Sequence, residues 1–138
     1  MASRIVIQVA GFRLGARLET DAAPRTCEAF SGLLPLEGHL LQARWSGESA
    51  WVPLGALDLG LTHENPTSHP APGHLLLYPG GVSETEILFP YGTARFASVK
   101  GALAGNHFAT IDEGTDHLPA IGHAVLWEGA KPIVFSRP

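Results

Sequence analysis

Residues 4–34 read RIVIQVAGFRLGARLETDAAPRTCEAFSGLL, and the hydrophobic pattern of this stretch changes its period once. In the first half, the odd-numbered positions from 5 to 9 are all apolar, and a second apolar run follows Gly11. Alternation with period two is typical of half-buried strands, and a glycine between two such runs favours a turn. The sequence therefore predicts a β-hairpin made of residues 4–10 and 12–19.

The second half of the stretch predicts the main helix of the chain. Apolar side chains return at helical spacing at Ala23, Cys27, Phe30 and Leu34. Pro24 suits the first turn of a helix, and Asp21 is placed to cap its free amide groups. Pro35 and Gly38 are residues that end helices, so we expect the helix to stop before them.

Short apolar runs between glycine and proline turns predict the remaining strands. One pair flanks Ser46-Gly47-Glu48-Ser49, which has the composition of a hairpin turn. The predicted strands are residues 40–45, 50–54, 74–78, 85–89, 95–99, 106–111, 123–128 and 133–135. Many short strands at this spacing are typical of a β-barrel or a β-sandwich. Because the length suits one domain and no linker or repeat occurs, residues 1–138 are predicted to form a single, mostly β domain.

Composition excludes several classes of partner. Nine Lys and Arg face 13 Asp and Glu, the net charge is −4, and no basic cluster occurs, so we expect no nucleic-acid binding. No segment approaches the roughly 20 apolar residues of a spanning helix, so we expect no membrane insertion. The single cysteine, Cys27, fits a reducing compartment and predicts a cytoplasmic location.

Particular segments of the chain resemble a known family. Residues 18–30 resemble the strand-to-helix transition of cyclophilins, where a proline, a basic residue and a threonine open the first helix before a phenylalanine. Taken whole, the chain resembles an uncharacterised bacterial family with a cyclophilin-like fold, domain of unknown function 3830. That likeness is carried by RWSGE (44–48), ENPTSHP (64–70), YPGG (78–81), ETE (84–86) and GNHF (105–108). The resemblance implies a closed cyclophilin-like β-barrel with one main helix covering an end.

The resemblance implies much less about activity, because fold alone does not transfer function. Prolyl isomerases of the cyclophilin family carry an Arg-Ile-Ile strand, then a Phe, then Gln-Gly-Gly. This chain has Arg44-Trp45-Ser46-Gly47 without that continuation. Prolyl isomerisation is therefore the third of three hypotheses for function.

The segment from His63 to Gly81 is the best place in the sequence to look for a site. It carries histidines, a carboxylate, a carboxamide and hydroxyls among prolines, which stiffen the backbone around them. Glu64 and His69 are predicted to form a carboxylate-imidazole pair for proton transfer, with a solvated Glu64 beside a turn as the alternative. The histidine spacing matches no metal signature, so we predict no metal and no cofactor.

A ligand-binding set is predicted beside this segment. Arg44 offers a planar cation for a carboxylate, unless it only bridges to Glu48 across its hairpin. Directional hydrogen bonds are predicted from Asn65, Thr67, Tyr91 and Asn106. Glu84 and Glu86 share a strand face, and such a pair can raise one pKa if the face is enclosed, although a solvated edge is the commoner outcome.

The leading hypothesis is a protein that binds a small anionic or amide-containing metabolite. Whether the protein also converts this metabolite is left open. The second hypothesis is a non-catalytic module whose apolar patches form a homo-oligomeric contact.

Overall fold

The computed structural model describes residues 3–138, and these residues fold around a closed antiparallel β-barrel. In chain order the strands are β1 (Arg4–Val9), β2 (Phe12–Leu18), β3 (Leu36–Gln42), β4 (Gly47–Gly55), β5 (Pro66–Thr67), β6 (His74–Tyr78), β7 (Thr85–Ala94), β8 (Ala97–Ser98), β9 (Gly101–Ala102), β10 (Gly105–Glu113) and β11 (Lys131–Ser136). Eight of them close the barrel in the order β2-β1-β11-β3-β4-β7-β6-β10, with β10 pairing back onto β2. The predicted mostly β fold and closed barrel are confirmed.

Two helices close the barrel, one at each end. Helix α1 (Pro24–Ser31) follows β2, and helix α2 (Leu118–Glu128) follows β10 after one 3₁₀ turn. Because β2 and β10 are antiparallel neighbours, the chain leaves them at opposite ends of the barrel. Both helices turn apolar side chains into the interior, namely Cys27, Phe30, Leu118, Ile121 and Val125.

The first helix begins where the sequence predicts it, but its cap is different. Pro24 occupies the first turn as expected. The residue before it, Ala23, takes the N-cap position, and no side chain of α1's own N-terminus caps the free amide groups. The prediction that Asp21 caps this helix is therefore wrong, and the helix ends at Ser31, earlier than the helical spacing indicates.

The predicted strand at residues 123–128 is wrong, because this segment is the second half of α2. The run Ala124-Val125-Leu126-Trp127 is apolar at every position, and a short continuous apolar run is typical of a buried strand. In the fold only Val125 of this run is buried, while Leu126 and Trp127 are exposed.

Strand β7 is longer than the sequence predicts, since it continues through Pro90 to Ala94. Proline ends most strands because it lacks an N–H for the ladder. Here Pro90 lies opposite Ser49, where the β4–β7 register is irregular, and its carbonyl accepts a hydrogen bond from the Gly73 N–H. A bulge of this kind tolerates a proline.

The barrel has an apolar interior and a second, smaller apolar cluster on its outer wall. Successive residues of β7 contribute to the two clusters in turn. Ile87 and Phe89 pack in the barrel interior, whereas Leu88 packs in the outer cluster. The outer cluster consists of Leu76, Tyr78, Leu88, Phe96 and Leu103, with Trp51 packed against it. Phe96 and Leu103 flank the small β8–β9 hairpin, so residues 95–104 cover this patch of the barrel wall.

Candidate functional site

A groove lies on the outer wall of β3, β4 and β7, beside the outer apolar cluster. Its volume is about 300 Å³, which is at the lower end of the range for small-molecule sites. Trp51 and Leu88, opposite each other in register, line the groove. Three loops complete it: residues 43–46 after β3, Ser83 before β7, and residues 97–99 at the β8–β9 hairpin.

The 43–46 loop is held in place by the side chain of Gln42. Its Nε2 donates hydrogen bonds to the carbonyls of Ala43 at 3.2 Å and Gly47 at 3.3 Å, which are the two sides of the loop. Its Oε1 accepts a 2.7 Å hydrogen bond from the hydroxyl of Tyr91. Every polar atom of the Gln42 amide therefore serves the loop or its support.

Ser46 joins this loop to the β8–β9 hairpin. Its Oγ donates to the Ala97 carbonyl and accepts from the Ala97 N–H, both at 3.1 Å. The Ser46 carbonyl accepts a third hydrogen bond from the Arg95 N–H at 3.2 Å. The two loops that form opposite walls of the groove are thus fixed to one another through one buried serine.

Arg44 is an exposed cation at the mouth of the groove. Its guanidinium carbon lies 5.6 Å from the centre of the Trp45 ring, within cation–π range. No ion pair involves Arg44 among residues 3–138, and Glu48, which could have bridged to it, instead accepts a 2.9 Å hydrogen bond from the Thr93 N–H. Arg44 is therefore free to meet an anion from solution.

Glu86 is a buried carboxyl group in the wall of the same groove, with only 6% of its surface exposed. Burial, and to a lesser degree the charge of Glu84, raise the pKa of Glu86 to about 7. Its register partners are Pro53 on β4 and Tyr78 on β6. Neither partner forms a hydrogen bond with the carboxyl group. Pro53 has no side-chain donor, and the Tyr78 hydroxyl accepts hydrogen bonds from the backbone N–H groups of Val82 and Ser83.

Glu64, predicted to transfer protons, lies instead at the N-terminus of α1. Its carboxylate accepts hydrogen bonds from the Thr26 N–H and Thr26 hydroxyl, both at 2.8 Å, and from the Arg25 N–H at 3.2 Å. Partial burial acts to raise the pKa of Glu64, but these hydrogen bonds outweigh it and the net shift is downward. Glu64 thus caps α1 from a distant loop, which explains why the helix needs no cap of its own.

Asn106 and Asn65 belong to the same network. Asn106 is fully buried; its Nδ2 donates to the Thr26 hydroxyl at 3.1 Å and the Thr62 carbonyl at 2.9 Å, and its Oδ1 accepts from the Glu64 N–H at 3.0 Å. Asn65 takes a left-handed backbone conformation with φ 52°, and its Nδ2 donates to the His107 carbonyl at 2.9 Å. The polar atoms of Asn106 are accordingly used within the protein.

The predicted site residues therefore fall into two places. Glu64, Asn65 and Asn106 hold the 62–69 loop against α1 and β10, and Thr67 lies in the same loop, where its hydroxyl accepts from the His69 N–H at 3.1 Å. Within residues 3–138 no hydrogen bond or ion pair joins Glu64 to His69, so their proton-transfer role stays a prediction. Arg44 lies in the outer groove, and Tyr91 reaches that groove only through Gln42.

Of the residues that line the groove, only Arg44 belongs to the predicted ligand-binding set, and the others include Gln42, Trp51 and Glu86. The sequence did carry a signal for Glu86, because Glu84 and Glu86 share a face in a strand that is otherwise apolar. The hairpin formed by residues 95–104, which is distant in sequence, packs on the outer wall beside Glu86 and contributes residues 97–99 to the same groove.

Residues 3–138 contain neither a cluster of metal-ligating side chains nor a membrane-spanning helix. No group of three or more His, Cys, Asp or Glu side chains there converges in a way that could hold a metal ion. In the same part of the chain, no helix has the length and apolar character needed to cross a membrane.

Residues 5–137 match the model of a family described as a protein of unknown function, DUF3830. The chain belongs to this family. The predicted family membership is thereby confirmed over nearly the whole length. A comparison with curated protein sequences gives no match.

Solved structures share the fold of this family member. The structure of McbB in complex with tryptophan superposes with a TM-score of 0.75 at 20% identity, over 96% of this chain and 44% of that chain. The chain thus spans less than half the length of McbB. The solution structure of the hypothetical protein AF2241 from Archaeoglobus fulgidus gives a TM-score of 0.65 at 18% identity, over 99% of this chain and 95% of that chain. At these identities the likeness shows the fold alone.

Proposed function

We propose that the outer groove binds a small organic molecule that carries an anionic group. The observation that supports this most directly is the position of Arg44, which has no ion pair with the described residues and lies at the mouth of a groove walled by aromatic residues. An apolar groove with a few convergent polar groups is the usual composition of a small-molecule site.

Each part of the groove has a role in this proposal. Arg44 receives the anion, since its planar fork suits a carboxylate. Trp45 and Trp51 contact the apolar body of the ligand, because indole rings offer large, rigid contact surfaces. The exposed ring of Trp45, 52% of whose surface is accessible, gains burial when a ligand covers it.

The comparison with McbB supports small-molecule binding in general terms. McbB has a region of the same fold and was solved in complex with tryptophan. The chemical identity of the ligand of this chain is argued from its own residues.

A thermal-shift screen of small carboxylic acids and amides tests the proposal. A ligand at about 100 times its dissociation constant adds roughly 2.7 kcal/mol of stability, which raises the melting temperature by several degrees. We expect stabilisation by acids with an apolar body, and loss of that stabilisation in Arg44→Ala. Arg95→Ala is the matched control, because Arg95 is exposed nearby but does not line the groove. A screen in which no acid or amide stabilises the protein overturns the proposal.

Homo-oligomeric assembly is the second candidate, favoured by exposed apolar side chains. Trp127 on α2 is 73% exposed, and Val99 at the tip of the β8–β9 hairpin is similarly open. Light scattering over a range of concentrations tests this function, with Trp127→Ser expected to remove any dimer. An assay of cis/trans isomerisation in a proline-containing peptide tests the third hypothesis. Prolyl isomerisation requires a rate above the uncatalysed background, and Arg44→Ala should abolish that rate.

A further inference from the structure

The carboxyl group of Glu86 has no hydrogen-bond or ion-pair partner within residues 3–138. It is nine-tenths buried on the outer face of β7 and lines the groove. The neighbouring charge that acts on it, Glu84, has the same sign. The carboxylate oxygens of Glu86 keep slight contact with solvent in the groove, but the loss of most of their hydration without a protein donor still costs stability. A neutral or apolar residue at this position would cost less.

Glu86 and Arg44 lie toward opposite ends of the groove. In the sheet, Gln42 lies opposite Ala50, and Ala50 lies opposite Phe89. Glu86 is three residues from Phe89 toward one end of the barrel, a distance of about 10 Å along the strand. Arg44 follows Gln42 on the other side of this row. The groove therefore presents a cation at one end and a carboxyl group at the other, with the Trp51 and Leu88 side chains between them.

We infer that the ligand is an elongated dipolar molecule, with a carboxylate that pairs with Arg44 and a cationic nitrogen group that donates hydrogen bonds to Glu86. This inference rests on the proposed function of the groove and adds the class of ligand. A buried acid without a donor is satisfied by N–H groups, and a cation there forms charge-assisted hydrogen bonds. The apolar wall between the two charges matches a hydrocarbon or aromatic spacer.

The arrangement selects against simpler ligands. An anion without an amine leaves Glu86 unpaired and meets its negative charge whenever Glu86 is ionised. A cation without a carboxylate meets the positive charge of Arg44. Only a molecule with a carboxylate and a cationic nitrogen pairs with Arg44 and Glu86 at the same time. Other ligands are disfavoured because they leave one of these charges unpaired.

Matched ligand pairs test the inference by isothermal titration calorimetry at pH 8. The probes are 6-aminohexanoate beside hexanoate, and 4-(aminomethyl)benzoate beside 4-methylbenzoate. We expect the amine of each pair to bind at least tenfold more tightly to the wild type. Glu86→Gln should abolish this preference, and Glu86→Leu should reverse it. Glu84→Gln is the control, because Glu84 has the same charge two residues away but does not line the groove.

The outcomes separate the inference from the proposal beneath it. Equal binding of the two members of each pair, with binding still dependent on Arg44, overturns the dipolar ligand and leaves the anion site standing. A preference for the amine that persists in both Glu86→Gln and Glu86→Leu overturns the role of Glu86. Absence of binding by all four probes, with no stabilisation in the acid screen, overturns the proposed function itself.

Discussion

The hydroxyl of Tyr91 donates a 2.7 Å hydrogen bond to Oε1 of Gln42, and this bond connects the end of the barrel under α2 to the outer groove. Tyr91 packs against the interior cluster and against Gly122 of α2. Gln42 in turn holds both sides of the loop that carries Arg44. Tyr91 therefore serves the groove as a support for its loop rather than as a lining residue.

Tyr91→Phe should weaken groove ligands without removing any residue that touches them. The loss of one neutral hydrogen bond costs about 1 kcal/mol of stability, and the freed Gln42 amide no longer fixes the 43–46 loop. We expect a fewfold weaker affinity for acids that depend on Arg44, measured by calorimetry. Thr85→Val is the control, because it removes the 2.7 Å hydrogen bond to the Leu57 carbonyl outside the groove. Equal loss of affinity in both variants would contradict a specific role for Tyr91.

Glu64→Ala should destabilise the fold while leaving groove binding intact. The substitution removes three hydrogen bonds to the start of α1 and a negative charge from the helix N-terminus, at a cost of about 1–2 kcal/mol. Urea denaturation measures the loss, and Glu28→Ala, an exposed residue of the same helix, is the control. If instead Glu64→Gln abolishes a turnover while stability is unchanged, the proton-transfer prediction for Glu64 is upheld over the capping role.

Much of the fold could be predicted because its signals are local. The hairpin around Gly11, the start of α1 at Pro24 and the strand at residues 74–78 each have a period or a turn residue within the segment itself. Helix α2 is not predicted from the sequence, because its buried positions lie on both sides of Gly122 and glycine normally weakens a helix. The reason for that glycine is Tyr91, which is distant in sequence.

The site could be predicted only in part, because polar residues look alike before their partners are known. Glu64 and Glu86 are both acidic residues near apolar strands, and the sequence favours Glu64 as the site residue because prolines stiffen its loop. In the fold Glu64 has three donors, whereas Glu86 has none among residues 3–138. The difference arises from long-range packing, namely α1 against the 62–69 loop and the β8–β9 hairpin beside β7.

Gly122→Ala should destabilise the protein through Tyr91. A Cβ at position 122 would overlap the Tyr91 ring, so the ring or the helix must shift, at a cost of about 1–3 kcal/mol. Combining it with Tyr91→Ala removes the obstacle. In that background the same substitution should stabilise α2 by up to about 1 kcal/mol, because alanine favours helices over glycine. Thermal unfolding of the four proteins in this cycle measures the coupling, and additive effects would contradict the contact.

Glu86 should make the stability of the unliganded protein fall as the pH rises through neutrality. Its pKa is about 7 in the fold against 4.5 as the ordinary value, so the folded state binds more protons between these limits. The stability that Glu86 contributes is therefore fully present below about pH 4.5 and is lost as the pH rises through 7, and the total loss is about 3 kcal/mol.

His107 also makes stability depend on pH. Burial lowers the pKa of His107, which gives a slope of opposite sign. The difference between the wild type and Glu86→Gln isolates Glu86, because His107 is common to both. Glu84 contributes less than burial to the raised pKa of Glu86, so Glu84→Gln should keep most of the slope, and Arg44, the cation that lines the groove, is present in all of these proteins. Urea denaturation from pH 4.5 to 8.5 measures it, and a difference that stays flat across this range would show that Glu86 is ionised normally in the fold.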